Sequence, residues 1–253
     1  MFKTCFERVE MKYLLNENQY FELLSRLNGI VHVDEYGETT IMNIYYDTPD
    51  FRMIRSSLEK PLYKEKLRLR TYGVPTGDTN AFVEIKKKYD GTVYKRRIAM
   101  PYDNALAYLS GNNEFDPGTQ ISKEINYLRT TWKDLTPKAI IAYDRTAYAG
   151  DEDPDLRITF DRNIRYRIGG LDLKNGAYGK LIIPSDTYLM EVKIAGAVPL
   201  ELARIFSELK IYKTSFSKYG NAYKEFSSHI NTVPAAEKFP AQIKLREGVI
   251  KYA

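Results

Sequence analysis

Apolar and charged residues alternate, two apart, through segment after segment of this chain. Lys66-Leu67-Arg68-Leu69-Arg70, Glu84-Ile85-Lys86-Lys87-Lys88 and Lys95-Arg96-Arg97-Ile98 show the pattern. Arg157-Ile158-Thr159-Phe160-Asp161 and Glu191-Val192-Lys193-Ile194 repeat it. Residues i and i+2 of a strand share a face. Each segment therefore has one apolar face and one ionic face, and the ionic face is mostly Lys and Arg.

The same pattern predicts the elements. Strands are expected at Phe6–Leu15, Thr39–Tyr46, Lys64–Tyr72, Ala81–Tyr89 and Thr92–Met100, the last two joined by a hairpin at Asp90-Gly91. Further strands are expected at Lys138–Ala149, Leu156–Ile168 and Thr187–Ile194. Asn16, with Gln19 three residues on, reads as a capping box for a helix running to Leu27. Short helices are expected at Phe51–Leu58 and Asp103–Leu109. Ile121, Ile125, Leu128, Trp132 and Leu135 recur at helical spacing and read as packing. Pro199 suits the first position of a helix carrying Leu202, Ile205, Phe206 and Leu209, and a last helix is expected from Ser217 to His229. With no repeat or linker, residues 1–230 read as one domain and 231–253 as a tail.

About eight strands with hairpin-like spacing predict an α+β fold. Its core would be a largely antiparallel, eight-stranded, tunnel-like barrel with helices packed outside and a C-terminal helix. With the ionic faces inward, the barrel would hold a positively charged channel. Lysines that close together repel one another and lose solvation, so a polyanion between them is expected. The alternative is a sheet whose ionic face is simply solvated.

Composition narrows the chemistry. The net charge of +5 and pI near 9.0 favour an anionic partner. The single cysteine, Cys5, fits a reducing, cytoplasmic setting and reads as an inert side chain. His32 and His229 stand far apart in sequence, with no metal-ligand spacing and no nucleophilic triad. No window has the length of a membrane span. Nucleic acid is not expected, because the channel face lacks interleaved aromatics for stacking.

The motif order Glu10-Met11-Lys12, Lys66-Leu67-Arg68-Leu69-Arg70, Glu84-Ile85-Lys86, Tyr143-Asp144-Arg145-Thr146-Ala147, Glu191-Val192-Lys193 and Ser217-Lys218-Tyr219 resembles the catalytic domain of the vacuolar transporter chaperone (VTC) polyphosphate polymerases. These belong to the CYTH-like triphosphate tunnel metalloenzymes. The resemblance spans roughly residues 5–227. It implies transfer of the γ-phosphoryl of ATP onto a growing inorganic polyphosphate chain, assisted by Mn²⁺ or Mg²⁺. Arg68, Arg70, Lys86, Arg145 and Lys218 are then the expected catalytic residues. Lys12, Lys66, Lys95, Arg97, Arg157, Lys193 and Ser217 are expected to bind substrate. Glu191 matches the metal-binding glutamate, with Glu10 and Glu84 as further candidates, although Glu10 could equally orient Lys12 and Glu84 could pair with Lys86. Lys88, Arg96, Arg165 and Arg167 read as exposed strand charges.

Two positions depart from the superfamily. Arg8 stands where hydrolases and cyclases carry the first glutamate of Glu-x-Glu-x-Lys, and Lys193 stands where a second carboxylate could follow Glu191. Fewer carboxylates leave less capacity for a second, water-activating metal, which favours polymerase over tunnel-type tri- or polyphosphatase. A non-catalytic polyanion-binding protein is the other alternative. The chain resembles the stand-alone, prokaryote-like form, without an SPX sensor or membrane helices, so a separate membrane partner is an open expectation.

Overall fold

A computed structural model of the chain describes residues 8–90 and 92–228. The expectations for Cys5, Phe6, Gly91, His229 and the tail lie outside these residues.

Ten strands form one sheet among the described residues. They are β1 (Arg8–Asn16), β2 (Val31–Asp47), β3 (Tyr63–Tyr72), β4 (Asn80–Tyr89), β5 (Thr92–Pro101), β6 (Thr136–Gly150), β7 (Arg157–Arg167), β8 (Lys180–Leu181), β9 (Thr187–Ala195) and β10 (Lys213–Thr214). The helices are α1 (Glu17–Arg26), α2 (Arg52–Leu58), α3 (Tyr102–Ser110), α4 (Gln120–Thr131), α5 (Leu200–Glu208) and α6 (Lys218–Ser227). The strand order is β10-β1-β9-β7-β6-β2-β3-β4-β5, with β8 beside β7 and every pairing antiparallel.

The sheet is not closed, which corrects the eight-stranded barrel. Its edges are β5 and β10. The first six residues of β5 are exposed and include Lys95, Arg96 and Arg97, and β10 is only two residues long. Short edges and charged edges both resist further pairing. The sheet nonetheless curls on itself. Lys86 Nζ on β4 comes within 3.9 Å of Glu10 Oε1 on β1, and Lys66 Nζ on β3 lies 3.0 Å from Ser217 Oγ at the start of α6. The concave face is a tunnel-like trough.

The convex face carries the apolar positions. Tyr102 and Tyr108 of α3, with Ile125 and Leu128 of α4, pack on Leu67, Leu69, Val83, Ile85 and Ile98. Leu23 of α1, with Leu202 and Phe206 of α5, packs on Met11, Tyr13, Ile158, Met190 and Val192. The expected capping box opens α1: Asn16 Oδ1 accepts from Gln19 N at 2.9 Å, and Gln19 Oε1 accepts from Asn16 N at 3.1 Å. Helix α6 differs from α1, α3, α4 and α5. Its Tyr219, Ala222 and Phe226 pack on Ile41, Ile141, Ile164 and Tyr166 from the concave side. One end of the trough is therefore an apolar seat for a helix.

A bulge in β7 makes that seat. Ala142 and Asp144 of β6 pair with Arg165 and Arg162, so β7 spends one extra residue, and Asn163 there has φ of 50°. Asp161 and Ile164 thereby share the concave side. Strand β2 begins earlier than expected, at Val31 rather than Thr39. Its first half is acidic, contains Gly37, and loses register with β6 between Val33 and Glu38. No helix among the described residues is long and apolar enough to cross a membrane.

Candidate functional site

Strand register sets the site. On one wall Lys12 faces Glu191, Glu191 faces Thr159, and Arg145 faces Asp161. On the other wall Asn43 faces Arg70, Tyr45 faces Arg68, Arg68 faces Glu84, and Lys86 faces Lys95. Alternation then puts all of these on the concave face.

The first wall centres on two buried carboxylates. Asp161 is fully buried and takes both arms of Arg145, at 2.5 and 2.7 Å, with Lys218 Nζ at 2.5 Å. Glu191 Oε1 meets Lys12 Nζ at 2.5 Å and Lys218 Nζ at 3.3 Å, and Oε2 accepts from Arg145 at 3.3 Å. Burial alone would raise both carboxyls. The ammonium of Lys218 reverses this at both, joined by Arg145 at Asp161 and by Lys12 and Arg145 at Glu191, so both stay ionised well below neutral pH. Burial likewise works against the charge on Lys218, and Asp161 and Glu191 outweigh it, so its pKa is raised.

The second wall centres on Glu84, which is 1% exposed. It accepts from Arg68 Nε at 2.7 Å, lies 3.7 Å from Arg70 Nε, and has Lys95 Nζ at 2.8 Å in an ion-pair contact. Burial pushes its carboxyl up, and Arg68, Arg70 and Lys95 bring it down to about 2. Arg70 donates to Asn43 Oδ1 at 2.9 Å and Tyr143 OH at 3.3 Å, and Arg68 donates to Tyr45 OH at 3.1 Å.

Between the walls, Lys12 Nζ also lies 3.2 Å from Glu10, and Lys86 approaches Glu10 from the far side. Burial pushes Glu10 up, but Lys86 and Lys12 leave it below its usual value. Lys66 has no carboxylate within 4 Å among the described residues and donates to Ser217 Oγ. Desolvation brings both Lys66 and Lys95 down to about 8, and it also lowers Lys86. Eight cations (Lys12, Lys66, Arg68, Arg70, Lys86, Lys95, Arg145 and Lys218) thus face four carboxylates (Glu10, Glu84, Asp161 and Glu191). Ser217 caps α6 by accepting from Gly220 N at 3.1 Å, so the helix N-terminus opens into this cationic field.

Three of the expected substrate-binding residues stand at the rim. Arg157 is exposed and pairs with Asp34 at 3.2 Å. Arg97 lies over the Phe82 ring at 4.7 Å. Lys193, half-buried, sits in register between Glu10 and Arg157.

The reading of Arg165 and Arg167 as exposed charges is corrected. Arg167 is 7% exposed and donates to the carbonyls of Gly170, Asp172, Gly176 and Tyr178, while Arg165 pairs with Asp144 at 3.2 Å. Both were turned outward by the bulge. The expectation of a channel face without aromatics is also corrected, since Tyr45 and Tyr143 stand on it. Their ring faces are taken, however. Tyr219 stacks on Tyr45, while Arg145 and Lys218 lie 5.2 and 4.5 Å from the centre of Tyr143. Asp161, Asn43, Tyr45 and Tyr143 join the site although none of them is among the expected site residues. Asp161 carried a signal, because it stands in the alternation two residues beyond Thr159.

No group of three His, Cys, Asp or Glu among the described residues forms a metal cage. The donor set does fit a hard cation that arrives with a phosphorylated substrate. Glu10 and Glu191 sit on adjacent strands, flank Lys12, and are ionised. Such ions need only one or two carboxylates when phosphate and water fill the remaining positions.

The VTC domain family matches residues 7–227, and the chain belongs to that family. Among solved structures it is similar to a provisionally named adenylate cyclase from Bacillus halodurans, with 14% identity and a TM-score of 0.53, covering 87% of this chain and 96% of that one. A provisionally named adenylyl cyclase from Hippeastrum, described as having a dominant triphosphatase activity, is similar at 14% identity and a TM-score of 0.54, with the same coverage. No curated protein matches the chain.

Proposed function

We propose that the protein is a polyphosphate polymerase, which transfers the γ-phosphoryl of ATP onto a polyphosphate chain held in the trough. The observation that carries this reading is the surplus of cations on the concave face, above all Lys66, which has no carboxylate partner among the described residues. A phosphate chain supplies the missing negative charge at regular intervals.

The residues divide the work by chemistry. Glu84, Asn43 and Tyr45 orient Arg68 and Arg70, and Asp161 orients Arg145, so their guanidinium groups are available to phosphate oxygens on the concave face. Lys12, Lys66, Lys86, Lys95 and Lys218 supply point charges, and Ser217 adds a hydroxyl at a helix N-terminus. Glu10 and Glu191 would hold the divalent cation, which when bound neutralises charge on the phosphate oxygens. Glu84 is assigned to orienting the arginines. The acceptor oxygen of a terminal phosphate is already anionic, so no general base is needed. Positioning and charge stabilisation do most of the work in such transfers.

The neutralised state of the carboxylates favours transfer over hydrolysis. Glu84 and Asp161 are each engaged by cations, leaving little for a second ion that could activate water. The test is incubation of the protein with ATP and Mn²⁺ or Mg²⁺. ADP and lengthening polyphosphate are expected. Orthophosphate as the main product, from ATP or from tripolyphosphate, would establish the triphosphatase reading instead.

A further inference from the structure

Thr159 stands on β7 between Arg157 and Asp161, in the phase that faces the trough. It is 6% exposed, and its Oγ1 is buried with no hydrogen-bond partner among the described residues. A buried hydroxyl is both donor and acceptor, and leaving it unpaired costs stability. Its lateral neighbours explain the vacancy. On β6 it faces Ala147, which offers no polar side chain. On β9 it faces Glu191, whose two oxygens are already engaged by Lys12, Lys218 and Arg145.

Those three cations are the groups a phosphate chain would attract. As they turn toward phosphate oxygens, Glu191 loses donors. Directly opposed residues of an antiparallel pair have Cβ atoms only about 4.5–5.5 Å apart, so a hydroxyl and a carboxylate at those positions come into reach by rotamer change alone. We propose that Thr159 is a positioning residue for Glu191, donating its hydroxyl to the carboxylate when a polyphosphate ligand draws Lys12, Lys218 and Arg145 away. Glu191 then keeps its place and its charge while its former partners hold the ligand. The inference rests on the polyanion reading of the trough.

The test compares Thr159→Val, which keeps the shape and removes the hydroxyl, with Thr159→Ser, which keeps the hydroxyl. Melting temperature is measured without ligand and with tripolyphosphate, in the absence of metal. Without ligand, Thr159→Val should melt at or above the wild-type temperature, because the hydroxyl it removes has no partner. With tripolyphosphate its stabilisation should shrink, matching an affinity weaker by roughly 5- to 10-fold, and Thr159→Ser should restore most of the loss. Equal tripolyphosphate affinity in wild type and Thr159→Val would overturn the role of Thr159 and leave the polyanion reading standing. So would a lower ligand-free melting temperature in Thr159→Val with unchanged ligand response, since the hydroxyl would then have a structural partner. A wild type that tripolyphosphate does not stabilise would overturn both.

Discussion

Tyr45 and Tyr219 stack face to face, with ring centres 4.6 Å apart and planes 16° from parallel. The pair joins the wall of the trough to the helix that plugs it. Tyr45 OH accepts from Arg68, while Tyr219 OH donates to the buried Asp47 at 3.1 Å. Asp47 in turn accepts from the backbone N–H groups of Thr48, Met53 and Ile54, which secures the start of α2. Lys218 precedes Tyr219, so the stack also fixes where its ammonium meets Asp161.

The stack and the hydroxyl of Tyr219 should separate by substitution. Tyr219→Phe keeps the ring and loses one bond to a carboxylate, costing about 1–2 kcal/mol. Tyr219→Ala should cost about 3–5 kcal/mol and also weaken tripolyphosphate binding by displacing Lys218. Thermal unfolding and binding measured on both variants check this. Normal binding by a destabilised Tyr219→Ala protein would mean that α6 does not set the site.

Lys66→Met removes a cation that has no carboxylate partner among the described residues. Stability without ligand should hold or rise, because repulsion from Lys86 and Arg68 falls. Tripolyphosphate affinity should drop by roughly 10- to 100-fold, the size of one lost charge-assisted contact. A protein that unfolds more readily and binds as before would make Lys66 structural. Arg70→Ala should behave differently, since it strands Asn43 and Tyr143 as well as Glu84, and should lower both stability and turnover.

Proton uptake offers an independent measure. Lys66 and Lys95 fall from 10.5 to about 8 in the folded protein because desolvation disfavours their charge. The unfolded chain therefore binds more protons between about pH 8 and 10.5, and the penalty these two groups place on folding is relieved as pH rises through that window. Binding runs the other way. A phosphate chain favours both charged forms, so tripolyphosphate binding near pH 8.5 should take up protons and weaken as pH rises further. Calorimetry in buffers of different ionisation enthalpy reads the uptake directly, and Lys66→Met should reduce it. Binding with no proton uptake at pH 8.5 would mean these lysines are already fully charged.

The two metal candidates should differ in what they cost. Glu191→Gln leaves Lys12, Arg145 and Lys218 with Asp161 as their remaining buried counter-charge, so stability should fall by about 3 kcal/mol or more. Glu10 is more open, with Lys12 and Lys86 as its ion-pair partners among the described residues, so Glu10→Gln should fold normally. Both should raise the Mn²⁺ concentration needed for half-maximal turnover. An unchanged Mn²⁺ requirement in Glu10→Gln would leave Glu191 as the sole carboxylate to the metal.

The alternation in the sequence was enough to place Lys12, Arg68, Arg70, Lys86, Arg145 and Glu191 on one face, because β1, β3, β4, β6 and β9 keep a strict period of two there. It could not reveal the phase change in β7. By strict alternation Ile164 and Tyr166 belong with Ile158 and Phe160, and Arg165 and Arg167 belong with Asp161. One extra residue at Asn163 exchanges those sets. The seat for α6 was hidden for the same reason. Closure was also beyond reach, since an open edge depends on which strands meet, and nothing local to Thr92–Arg97 states what lies beside it. Asn43 and Tyr45 looked like ordinary strand residues, and only their partners Arg70 and Arg68 give them a role.

The missing strand pair between β5 and β10 has a mechanical consequence. A ring of hydrogen-bonded strands admits a polymer only by its end and releases it only by sliding. Here the seam is held by side chains, such as Lys86 against Glu10 at 3.9 Å, and these can part while every backbone ladder stays intact. If the trough holds a phosphate chain, as proposed, that chain can be laid in sideways and lifted out the same way, without threading.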